Sequence, residues 1–117
     1  MILNEITFST AMPIDGYGPG FFRIGREALQ GALVVTATGV KSWGGFDDAK
    51  TLLDLAGKVD VLLIGTGPEI AHIPAKLRGR LEAVGIGVEM MNSPAACRTY
   101  NVLLSEGRRV ATALLPV

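Results

Sequence analysis

Residues 86–117, IGVEMMNSPAACRTYNVLLSEGRRVATALLPV, hold a strand, a helix and a strand in succession. Ile86 to Met91 is a largely apolar run of strand length. Ser93 is a residue type that caps helices, and Pro94 behind it suits the first helical position, where a missing N–H costs nothing. The helix is expected to end near Gly107, and Arg109 to Leu115 (RVATALL) forms a last strand. A helix that joins two apolar strands is the repeating unit of a parallel sheet.

Upstream, the same alternation continues. Val59 to Ile64 (VDVLLI) is almost wholly apolar, as expected of a central strand covered on both faces. The loop GTGPEIAHIP at 65–74 leads to a helix over Ala75 to Val84. Before it, WGGFDDAKTLLDLAG changes period: Asp47 caps a helix, Ala49, Leu52, Leu53 and Ala56 follow at helical spacing, and Gly57 ends it. The first part of the chain is strand-rich. Ile2 to Ser9 alternates, with Ile2, Asn4, Ile6 and Phe8 on one face, and predicts a half-buried edge strand. PIDGYGPG at 13–20 packs three glycines and two prolines into eight residues, and no regular element is expected there. Phe21 to Ile24 is a short strand, and Gly31 to Val40 (GALVVTATGV) a longer one. The order predicts one domain over 1–117: a three-layer α/β arrangement with a central mixed sheet, helical cover and additional N-terminal strands.

Composition bounds the function. The chain has 117 residues, with 11 Lys and Arg against 11 Asp and Glu, so its formal net charge is zero. That gives no electrostatic case for nucleic acid, and Arg78, Arg80, Arg108 and Arg109 are too sparse for a binding stripe. No apolar run reaches the roughly 20 residues of a membrane span. MILNEITFST has neither the basic-then-apolar pattern of a signal peptide nor an Arg-rich transit pattern, so a cytoplasmic location is expected. A single cysteine excludes an internal disulfide, and one Cys with one His does not make the usual zinc set. No metal or cofactor is expected. Hydrophobic residues make up 49% of the chain; most of that excess is expected in the core, and some of it in a surface that another protein or a second copy covers.

Four groups are candidates for function. Gly65, Thr66 and Gly67 follow the buried strand, where α/β sheets place ligands. G-x-G-x-x-G fails at Ile70, so the choice lies between a tight turn and a small-ligand or anion site shared with Ser93 and the first N–H groups of its helix. Cys97 lies near a helix start beside Arg98, which favours a thiolate; the alternatives are a reactive thiol, with His72 as the sole imidazole, and an inert buried one. Arg98, Asn101 and Ser105 share a helix face, opposite one of Ala96, Tyr100 and Leu103. That polar face is either solvated or lets Asn101 fix a neighbouring loop, Gly65–Gly67 being the candidate. Tyr17, Phe21, Phe22 and Trp43 are loop-side aromatics, fit either to anchor an interface or to cap the core. No Ser-His-Asp order or loop pair of carboxylates suggests catalysis.

ACRTYN at 96–101, LL at 103–104 and EGRRV at 106–110, taken with LLIGTGP at 62–68 and I-GYGPGFFRIG at 14–25, resemble one small domain family. It is the family of the adipogenesis-associated protein and the mitochondrial complex I assembly factor three. The resemblance covers nearly the whole chain and implies a three-layer α/β fold around a mixed sheet. It brings no established catalytic residues. It implies a binding or assembly module whose partner is a respiratory-complex subunit or assembly factor, and a bacterial homologue whose relatives carry no assigned activity. The alternative from the residues themselves is a ligand-binding protein or thiol enzyme using Cys97 near Gly65–Gly67.

Overall fold

The computed structural model describes residues 5–117. Nine strands and three α-helices follow in the order β1 (Glu5–Thr7), β2 (Ile14–Gly18), β3 (Phe21–Ile24), β4 (Glu27–Gln30), β5 (Leu33–Thr36), β6 (Gly39–Ser42), α1 (Ala49–Leu53), β7 (Val61–Gly65), α2 (Ala75–Ala83), β8 (Gly87–Met91), α3 (Ser93–Ser105) and β9 (Val110–Leu114). A six-stranded sheet runs β1-β6-β5-β9-β7-β8, and β2, β3 and β4 form a second sheet. β7 pairs in parallel with both β8 and β9, whereas β5 meets β9 antiparallel. The main sheet is therefore mixed, as expected.

Handedness explains the layers. From β7 the chain crosses α2 to reach β8 on one side, then crosses α3 back past β7 to β9. Right-handed crossovers running in opposite directions put their helices on opposite faces. Leu62, Ile64, Ala111 and Ala113 accordingly pack with Leu52, Leu77 and Leu81 of α1 and α2. Leu63, Val35, Val110 and Leu114 pack with Ala96, Cys97 and Tyr100 of α3 and with Ile14, Phe22 and Leu29 of the small sheet. Leu62, Leu63 and Ile64 are all fully buried, which accounts for the unbroken apolar run of β7.

The N-terminal third departs from expectation. PIDGYGPG contains a strand after all, β2, which pairs with β3 through a bulge between Ile14 and Gly16. Gly18 has a packing use: the Phe21 ring lies where a Cβ on it would stand. Gly31–Val40 is not one strand but the hairpin of β5 and β6, turning at Ala37–Thr38. β4 was not foreseen, because EALQ has helix-forming composition; a two-residue turn, Gly25 (φ 59°) and Arg26 (φ 73°), forces it back along β3. β1 is an edge strand as expected, pairing with β6; Ile2, Leu3 and Asn4 of the expected strand lie outside the described residues.

Two helix caps shift by one residue. Asp48, not Asp47, caps α1, accepting from the Thr51 N–H (3.2 Å) and hydroxyl (2.7 Å); Asp47 ends a short 3-10 turn. The slight burial of Asp48 raises its pKa, but these bonds and the one from Gly44 outweigh it and the carboxyl ends below its ordinary value. Asn92, not Ser93, caps α3, accepting from the Ala95 N–H at 2.8 Å. Ser93 is thereby released for a different task.

Candidate functional site

The turn after β7 and the start of α3 meet, as the sequence suggested. Ser93 is fully buried, and its Oγ accepts from the Gly67 N–H (2.9 Å) while donating to the Leu115 carbonyl (2.6 Å). The Ser93 N–H in turn donates to the Gly67 carbonyl at 2.7 Å. One hydroxyl thus ties the end of β7, the head of α3 and the segment after β9 together. Gly65 permits this closeness: a Cβ there would stand 2.9 Å from Ser93 Cα and 2.8 Å from its Oγ. Gly67 has φ 102°, a conformation that L side chains rarely adopt. Thr66 Oγ1 donates to the Glu69 carbonyl (2.7 Å) and accepts from the Ala71 N–H (3.0 Å).

This closure removes the basis for an anion site at the helix start. Pro94 has no N–H, Ala95 donates to Asn92 Oδ1, and Ala96 donates to the Asn92 carbonyl at 3.0 Å. With the Ser93 N–H held by Gly67, the first turn of α3 offers no free donor. The glycines serve tight packing.

Cys97 faces the core beneath the small sheet and is 4% exposed. Desolvation pushes its thiol up to about 11, and the opposing pull of Arg98 is smaller. Of the two alternatives the geometry fits the inert buried thiol, because burial outweighs the helix start. His72 is exposed, and its neighbour Ile73 packs into the α1–α2 layer on the far face of the sheet from Cys97. The two do not form a pair. At pH 8 the native thiol should react with a soluble alkylating agent about 100-fold more slowly than an unfolded cysteine, the ratio of their thiolate fractions. Because the unfolded state loses this proton first, stability falls as pH rises from about 9 to about 11. A rate in the native protein equal to that in denaturant would overturn this.

Asn101 does fix a backbone segment, though not Gly65–Gly67. Its Oδ1 accepts from the Ile14 N–H (2.8 Å) and its Nδ2 donates to the Ile14 carbonyl (2.9 Å). Both bonds hang the small sheet on α3. Arg98 and Ser105 are exposed on that helix. Asn101→Ala should cost about 2 kcal/mol by leaving two backbone groups unpaired, and should speed amide exchange at Ile14 ahead of β7. Equal protection in variant and parent would contradict the role.

Ala96 and Tyr100 are fully buried, as their helix face predicted. The Tyr100 hydroxyl is buried with no hydrogen-bond partner among the described residues. Tyr100→Phe should therefore leave the melting temperature unchanged or raise it, since it removes an unpaired polar atom and keeps the ring. A fall of several degrees would show that the hydroxyl is bonded.

The aromatic group divides. Phe22 is 0% and Trp43 5% exposed, so neither presents an apolar surface. Trp43 Nε1 donates to the Asp48 carbonyl at 3.2 Å and stacks edge-on with Phe46. Tyr17 remains 44% exposed, and Phe21 is half-buried with the Arg23 guanidinium 5.9 Å from its ring centre. The distinction was not visible in FFRI, since only pairing decides which of two adjacent phenylalanines points inward. The basic residues are also dispersed: Arg78 pairs with Glu82 and reaches the Val88 carbonyl on the outer edge of the sheet, while Arg109 pairs with Asp60. No group of three or more metal-ligating side chains gathers among the described residues.

Fold and junction together define a three-layer α/β domain whose polar turns are spent on holding its own layers. The chain belongs to the family described as protein of unknown function (DUF498/DUF598), whose model matches residues 14–115. It is 53% identical over 117 residues to an uncharacterised protein of Rhodobacter capsulatus, covering 100% of this chain and 94% of that one. It is 31% identical to NADH dehydrogenase (ubiquinone) 1 alpha subcomplex assembly factor 3 of Danio rerio; the match covers 92% of this chain but only 66% of the relative's length. Among solved structures, it resembles a protein of Bartonella henselae described as an outer membrane protein, with TM-score 0.84 and 36% identity over 94% of this chain and 98% of that one. No helix among the described residues is long and apolar enough to cross a membrane.

Proposed function

We propose that this chain is a non-enzymatic protein-binding module that assists assembly of a larger complex. The respiratory NADH:ubiquinone oxidoreductase is the first candidate, through one of its subunits or a second assembly factor; a second copy of the chain is the other possible partner. The observation that carries this reading is the likeness to assembly factor 3 along 92% of the chain. The buried, protonated Cys97 and the fully occupied Ser93 junction fit it, because they supply rigidity and no exposed nucleophile. Tyr17 and Phe21 on the small sheet are the contact residues of this reading, and the cytoplasm is its site of action.

The test is deletion of the gene in its own host, followed by native-gel quantitation of the assembled oxidoreductase. Loss of the assembled enzyme, restored by the parent chain and less well by Tyr17→Ala with Phe21→Ala, supports the reading. Unchanged assembly after deletion refutes it.

A further inference from the structure

At the opposite end of β7 from the Ser93 junction lies a cleft of about 630 Å3 between the end of α1, the β5–β6 turn and the passage from α3 into β9. That volume is within the usual range for small-molecule sites, about 300–1,000 Å3. Leu55, Val59, Leu104 and Val110 give it an apolar floor, and Lys58, Arg108 and Arg109 stand around it with no carboxylate in the lining. In a chain of zero net charge, this is a local excess of one sign.

The three cations are not equivalent. Arg109 is engaged, with Nε 3.6 Å from Asp60 and Nη2 donating to the Gly57 carbonyl at 3.0 Å. Lys58 and Arg108 are exposed and have no side-chain partner among the described residues. Arg108 is not needed to finish α3, because the Gly107 and Arg108 N–H groups already satisfy the Leu104 and Leu103 carbonyls, each at 3.0 Å. Asp54, which follows α1, is paired with Lys50 at 3.0 Å.

We propose that this cleft binds a soluble carboxylate amphiphile, a short acyl chain lying on Leu55, Val59, Leu104 and Val110 with its head group between Lys58 and Arg108. An apolar floor rewards each buried methylene, and two free cations beside it select an anionic head.

Octanoate is the probe, titrated into the isotopically labelled chain while amide shifts are followed. Saturable shifts are expected at Ala37, Thr38, Lys58 and Gly107, with octanol about tenfold weaker and hexanoate weaker by a similar factor, as two lost methylenes imply. Lys58→Ala with Arg108→Ala should weaken octanoate about tenfold, and Lys76→Ala, at an exposed position of α2, should not. Equal binding of octanol, an unaffected double variant, or shifts confined to other parts of the chain would overturn the proposal. So would sedimentation with phosphatidylglycerol vesicles in the absence of any octanoate response, which would assign the cations to a membrane surface.

Discussion

Phe22→Ala should lower the unfolding free energy by about 4 kcal/mol, within the range for deleting a buried aromatic ring. Phe22 is fully enclosed by Ile14, Ile24, Leu29, the main sheet and α3, so its loss empties the seam between the two sheets. For a chain of 117 residues this corresponds to a fall in melting temperature of roughly 15 °C or more. It is also a large part of a typical total of about 5–15 kcal/mol. Tyr17→Ala, on an exposed side chain of the neighbouring strand, should stay within about 1 kcal/mol of the parent. Thermal and denaturant unfolding of both variants separates the buried role of Phe22 from the exposed one of Tyr17. A Phe22→Ala protein as stable as its parent would return this residue to the surface.

Ser93→Ala should cost about 3 kcal/mol although it removes a single oxygen. That oxygen serves two partners, the buried Gly67 N–H and the part-buried Leu115 carbonyl, and alanine leaves both without it. The loss should be structurally local at first: amide exchange at Gly67 and Leu115 rises before that of Leu62 and Leu63. A melting temperature within two or three degrees of the parent, with no change in exchange, would show that the junction holds without the hydroxyl. Helix capping does not confound the result, since Asn92 caps α3 independently.

The second half of the fold was legible because its signals are local. Unbroken apolar runs such as VLLIG, glycine ends and cap residues lie within a few positions of each other, and their alternation with helices leaves few topologies. The first half was not, because its strands are made by pairing. β2 exists because β3 offers it partners, and β4 because Gly25 and Arg26 accept a left-handed turn. The site shows the same division. A grip by Asn101 on a backbone was one of two readings, but its target lies 87 positions away and no spacing reveals it. Cys97 stayed open between two readings because helix start and neighbouring arginine are visible in sequence, whereas depth beneath the small sheet is not. Lys58 and Arg108 come to line one cleft only through the tertiary fold, 50 positions apart in the chain.

The position of β9 governs how the polypeptide comes together during synthesis. This strand is the last in chain order, yet it sits between β5 and β7 and is buried along its whole length. Without it, β5 and β7 share no strand pairing, and each presents an open edge. The main sheet therefore closes only when its last-made strand is inserted, and the two unpaired edges are where mispairing would begin.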